Sequence, residues 1–216
     1  MTGLIALAGF LVFAARRLLT YLHIFQQEEY DGPRFLRWLI QSVAFDRRLS
    51  LAIIVLFVAQ TIVGGGAPAW LFPAAVGIVC IAAAAVERDP RKNAKKPLAM
   101  TARAKRIYVI GGLLLLAIGI AAALGTDIVL VWLGPVQLVP IALVLGNLLL
   151  TPSENRVQRR YWQEAHDKLK RMDPMVIAVT GSYGKTSVKH ILGHVLETAA
   201  PTLITPGSVN TAMGIA

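Results

Sequence analysis

Along residues 1–150, apolar stretches alternate with polar, basic ones. The apolar stretches cover 2–15, 49–63, 69–86, 107–124 and 128–150. A helix that crosses a bilayer needs about 20 apolar residues. The last three stretches have that length directly. The first two reach it with their flanks: Arg16 and Arg17 have long stems that snorkel, and glycines 64–66 extend the second. The first stretch is also the size of a signal-peptide core. It runs into Arg16-Arg17-Leu18-Leu19 rather than a small-residue cleavage site, so it reads as a retained anchor. The pattern predicts a helical membrane bundle of about five spans over 1–150.

The links differ in kind. The link 16–48 carries Leu18, Leu19, Leu22 and Phe25 at helical spacing, then Asp31-Gly32-Pro33, then a second stripe of Phe35, Leu36, Leu39, Ile40 and Val43. Arg34 and Arg37 fall opposite that stripe. This predicts a cytoplasmic amphipathic helix, lying at the membrane surface or packed on the bundle. The link 87–106 is basic and suits anionic headgroups. The short links 64–68 and 125–127 read as tight helical hairpins. Gly134-Pro135 predicts a kink in the fifth span. Gln60, Gln137 and Asn147 are the main polar residues within spans, and read as interhelix hydrogen-bonding groups.

Composition agrees with a membrane protein: 56% of residues are apolar, above the usual share of about 45–50%. The formal charge of +10 raises the question of nucleic acid, and position answers it. All 22 Lys and Arg residues fall in 16–48, in 87–106 or after 150, and the two short hairpins have none. Basic loops stay on the cytoplasmic side. The charge therefore implies membrane lipid as a partner and no nucleic acid, with the N-terminus outside a cytoplasmic (inner) membrane. The single cysteine, Cys80, lies in an apolar run and reads as an inert buried thiol.

After residue 150, Thr151-Pro152-Ser153-Glu154 has the form of a capping box opening a helix. A juxtamembrane linker helix is expected over 151–173. Val157, Tyr161, Trp162, Ala165, Leu169 and Met172 lie on one face, and Asp173-Pro174 ends it.

The chemistry lies in 174–216. Residues 175–180, Met-Val-Ile-Ala-Val-Thr, read as a buried parallel strand. Gly181-Ser182-Tyr183-Gly184-Lys185-Thr186-Ser187 follows and opens a helix-like run to about 199. Gly181 and Gly184 let the backbone wrap an anion, and the helix N-terminus favours negative charge. Lys185 is placed for the outer phosphates of ATP, and Thr186 for Mg²⁺ through its hydroxyl. Ser182 and Ser187 are further hydroxyl donors. The usual loop is G-x-x-x-x-G-K-[ST]. Here Val179 occupies the first glycine position, and the chain reads G-x-x-G-K-T, which disfavours most transport ATPases and GTPases. The expected fold is an α-helical membrane bundle followed by the beginning of an α/β P-loop domain with a parallel sheet. His190 and His194 are four apart, but Ile191 stands where the zinc motif has Glu, and they do not read as a metal site. Lys189, one turn beyond Lys185, reads as a surface lysine.

The run Ala178-Val-Thr-Gly-Ser-Tyr-Gly-Lys-Thr-Ser187 resembles the Mur ligase family, the ATP-dependent amide ligases of cell-wall precursor synthesis. A second run, Thr205-Pro-Gly-Ser-Val-Asn-Thr-Ala-Met-Gly214, resembles that family's segment after the second strand. The closest likeness is to the branch that adds D-alanyl-D-alanine. The resemblance covers roughly 155–216 and implies the N-terminal part of the family's ATP-binding domain. It implies ATP and Mg²⁺ as cofactors, with Lys185 on phosphates, Thr186 on the metal and Asn210 near the nucleotide. It also implies a carboxylate acceptor and an amino-acid or dipeptide amine, joined through an acyl phosphate. The family's soluble N-terminal domain, later metal ligands, modified lysine and C-terminal domain have no counterpart within the 216 residues. Other cell-wall synthesis proteins, or a remainder of the ligase, are expected partners, and this stretch by itself is expected not to turn over. Other readings of the same residues are a non-catalytic nucleotide-binding scaffold and a polyglutamate-type ligase.

Overall fold

The computed structural model describes residues 2–92 and 97–207. The chain divides into two compact units, Met1–Pro152 and Ser153–Ala216.

In the first unit, α1 (Gly3–Gln27) is the central element. Its apolar stripe continues past Arg16-Arg17, and Leu18, Leu22 and Phe25 are at most 1% exposed. The first part of the expected amphipathic link is therefore the end of α1. Helix α2 (Gly32–Gln41) begins where Asp31 Oδ1 accepts from the Arg34 backbone N–H at 2.9 Å, with Pro33 in the first turn. It packs on the bundle: Phe35 sits 5.1 Å from Phe25 and 6.2 Å from Tyr21, ring centre to ring centre. Arg34 and Arg37 remain exposed.

Next come α3 (Arg47–Val63), a 3₁₀ turn at Gly64–Gly66, α4 (Leu71–Val86) and α5 (Ala102–Gly125). Thr101 Oγ1 caps α5 by accepting from Ala104 N at 3.2 Å. A second 3₁₀ turn, Val129–Trp132, leads to α6 (Leu133–Gln137) and α7 (Val139–Met172). Glycines let α1 meet its neighbours backbone to backbone. A Cβ on Gly9 would lie 2.3 Å from the Gly77 carbonyl oxygen in α4, and one on Gly3 would lie 2.4 Å from the Ala123 carbonyl oxygen in α5.

The polar residues within the apolar stretches join elements. Gln60 donates to Asp127 O at 2.9 Å and accepts from Val129 N at 3.0 Å. Gln137 bonds Ser50 Oγ. Asn147 Nδ2 donates to Tyr30 O, and its Oδ1 accepts from Arg103 Nη2, both at 3.1 Å.

Several expectations are corrected. Among the described residues, three helices are long and apolar enough to cross a membrane: α1, α3 with its Gly64–Gly66 extension, and α5. A fourth is the pair Val129–Gln137 plus Val139–Met172, bent by 46°, if the pair counts as one span. Helix α4 has 16 residues, or about 24 Å at 1.5 Å per residue, short of a core about 30 Å thick. The bend falls at Leu138 rather than at Gly134-Pro135. Pro140 has no N–H to continue a helix from α6, so a new first turn starts at Val139. The capping box does not open a separate helix. Pro152 lies inside α7, and Thr151 Oγ1 instead donates to Asn147 O at 2.9 Å. The largest correction is the parallel sheet. Among the described residues there is no strand, and 175–180 is not paired into a ladder. A strand exists through hydrogen bonds to a neighbour, and no described segment supplies one. Met175 and Val176 are 89% and 76% exposed rather than buried.

Candidate functional site

In the second unit the loop 181–184 opens α8 (Lys185–Glu197). Gly184 is the residue before the helix, at φ 74°, and Gly181 has φ 152°. Side-chain-bearing residues avoid both conformations, so these glycines are what the turn requires. The loop ends where the helix dipole begins, with the N–H groups of the first turn unsatisfied by the helix itself. Val188 N closes the first helical bond, to Gly184 O, at 2.9 Å.

Lys185 curls back over this loop, and its Nζ donates to Gly181 O. The ammonium is thereby held above the backbone turn that carries Ser182 and Tyr183. Both of those residues, with Thr186 and Ser187, are exposed, and Tyr183 is 96% so. The structure thus brings Gly181, Ser182, Tyr183, Gly184, Lys185, Thr186 and Ser187 into one exposed loop and helix start. Asn210 lies outside the described residues.

This donor set fits a phosphate group chemically. It joins a cation, a glycine turn, hydroxyls and a helix N-terminus at one place. For Mg²⁺ the set offers the Thr186 hydroxyl, a hard oxygen of the kind that ion takes. No group of three or more His, Cys, Asp or Glu placed to hold a metal occurs among the described residues.

Lys189 departs from its surface-lysine reading. Its Nζ donates to Thr205 O at 2.6 Å, Gly207 O at 2.6 Å and Thr205 Oγ1 at 3.1 Å. One turn on, Gly193 is the buried residue of α8. A Cβ there would lie 2.3 Å from Ile204 Cδ1. The start of the second motif therefore docks along α8. The available signal was the spacing: Lys185, Lys189 and Gly193 recur every four residues and share a face.

No protein-family model, curated protein or solved structure matches the chain.

Proposed function

We propose that residues 181–187 bind the phosphates of ATP, and that the protein is a membrane-embedded Mur-ligase-like enzyme or the ATP-binding part of one. The observation that carries this reading is the pair of positive-φ glycines directly before α8, with Lys185 folded over them. In the proposed reaction a substrate carboxylate attacks the terminal phosphorus of ATP, giving an acyl phosphate and ADP. An amine then attacks the acyl carbon, an amide forms, and phosphate leaves. Lys185 stabilises the negative charge on the transferred group. The Thr186 hydroxyl would help hold Mg²⁺, which when bound would supply Lewis-acid stabilisation of that charge. In this reading the loop works on the cytoplasmic side of an inner membrane, on cell-wall precursors. The basic links favour that orientation.

The test is binding of a fluorescent ATP analogue with Mg²⁺ to the detergent-solubilised chain, competed by ATP. Lys185→Ala is expected to weaken binding at least tenfold. In membranes holding the whole reading frame, amino-acid-dependent ADP release should vanish with the same substitution. Equal binding by wild type and Lys185→Ala would overturn the site. Binding without turnover of the whole frame would leave a nucleotide-binding scaffold in place of a ligase.

A further inference from the structure

We propose that Lys189 is a positioning residue that couples the phosphate loop to the segment 202–207. This rests on the reading of 181–187 as a nucleotide loop. A lysine ammonium has three donors, and among the described residues each polar contact of Lys189 is an uncharged oxygen of Thr205 or Gly207. Its donors thus meet neutral acceptors on a neighbouring segment, whereas Lys185 donates within its own loop, to the Gly181 carbonyl. The two lysines divide the work: Lys185 reads phosphate, and Lys189 secures the neighbouring segment.

The bonded oxygens belong to residues 16 and 18 positions further along the chain. They close a turn in which Gly207 takes φ 52°, a conformation natural to glycine. The ammonium draws two carbonyls and a hydroxyl around one charge, which pins Thr205 and Gly207 to α8. Gly193 makes the second point of attachment by leaving room for Ile204 against the helix. Both points lie on the α8 face that carries Lys185. An anion at the loop stabilises the first turn of α8, where Lys185 stands four residues before Lys189. Whatever orders that turn also fixes the base from which Lys189 reaches the segment.

Hydrogen exchange of the detergent-solubilised chain, with and without MgATP, tests the coupling. In wild type, MgATP is expected to slow exchange of the 202–207 amides at least threefold. Lys189→Met should keep MgATP affinity within about threefold of wild type, speed basal exchange of 202–207, and abolish the response to nucleotide. Lys189→Arg keeps a multidonor cation and should restore part of that response. Loss of nucleotide affinity in Lys189→Met, equal to that in Lys185→Ala, would make Lys189 a phosphate ligand and overturn the proposal. An unchanged nucleotide response at 202–207 in Lys189→Met would also overturn it. Should wild type bind no MgATP, the nucleotide reading fails and the coupling with it. Basal exchange in the same variants then reads the Lys189 contacts alone. If Lys189→Met does not fold, Thr205→Val and Gly193→Val disturb the segment from its other contacts, and each should blunt the response with nucleotide affinity retained.

Discussion

Arg17 Nη1 donates to Glu87 Oε1 at 2.7 Å, while its Nε lies 3.1 Å from the Asp46 carboxylate. One guanidinium thereby ties α1 to the residue before α3 and the residue after α4. The three side chains are 17%, 19% and 13% exposed for Arg17, Glu87 and Asp46. Thr20 Oγ1 also donates to Glu87 Oε1, at 2.7 Å.

Removing this cation leaves two carboxylates facing each other with little water. Arg17→Met is expected to destabilise the helical unit by about 3 kcal/mol, the order found when a buried pair loses one partner. Thermal unfolding in detergent measures the loss. The triple variant Arg17→Met, Asp46→Asn, Glu87→Gln should recover most of it, because no charge is left unpaired. Arg17→Lys should fall between, since an ammonium lacks the fork that serves both carboxylates. Equal stability of Arg17→Met and wild type would mean the ion triad does not hold these helices.

The crossing of α1 and α4 is set by absent side chains. The atoms nearest a Cβ on Gly9 are Gly77 backbone, at 2.3 to 2.7 Å. Backbone cannot rotate away, so the helices must separate. Gly9→Val is expected to cost about 1–3 kcal/mol, as overpacking does elsewhere. Gly112→Ala is the control, because a Cβ there meets nothing within 4 Å. It should be neutral or slightly stabilising, alanine being the better helix former. Parallel melting curves of the two variants decide between specific close packing and a general intolerance of α1 and α5 to added bulk.

Much of the helical unit is legible from residue type, because length and apolarity alone mark a helix suited to lipid. The start of α2 was also marked, by Asp31 and Pro33. The fate of α4 was not, because its composition continues smoothly from Ala69 while the helix begins at Leu71. The linker misled for a physical reason. Thr151 and Pro152 suit a helix start, yet α7 runs through them with the Thr151 hydroxyl on the Asn147 carbonyl. The sheet was inferred from the apolar run 175–180 ahead of the glycine loop, but pairing is a property of two segments, and one run cannot declare its neighbour. At the candidate site, Gly181 and Gly184 announced the turn, since their conformations exclude other residues. Lys189 was missed because its partners are mainly backbone carbonyls, which no residue type announces.

The final prediction concerns Asp89, in the basic link just after α4. Its Oδ1 accepts from the Arg91 backbone N–H and from Arg91 Nε, each at 2.9 Å, and its Oδ2 accepts from Arg91 Nη2 at 2.7 Å. These bonds, the side-chain ones foremost, hold the carboxyl well below its ordinary value of 3.8. The unfolded chain, with the ordinary value, takes up its proton first as pH falls. The ion pair's contribution is therefore present above pH 3.8 and is lost as pH drops through the lowered folded value. Arg91 is 47% exposed and stands two residues from Asp89 in the chain, so the pair is local, its effect on global melting is small, and the titration itself is the better measurement. Carboxyl NMR of the labelled, detergent-solubilised chain should give Asp89 a midpoint below 3.8. Arg91→Ala should raise that midpoint without restoring it fully, because the backbone N–H of residue 91 still donates. A wild-type midpoint at the ordinary value would mean that Arg91 does not hold Asp89 in solution.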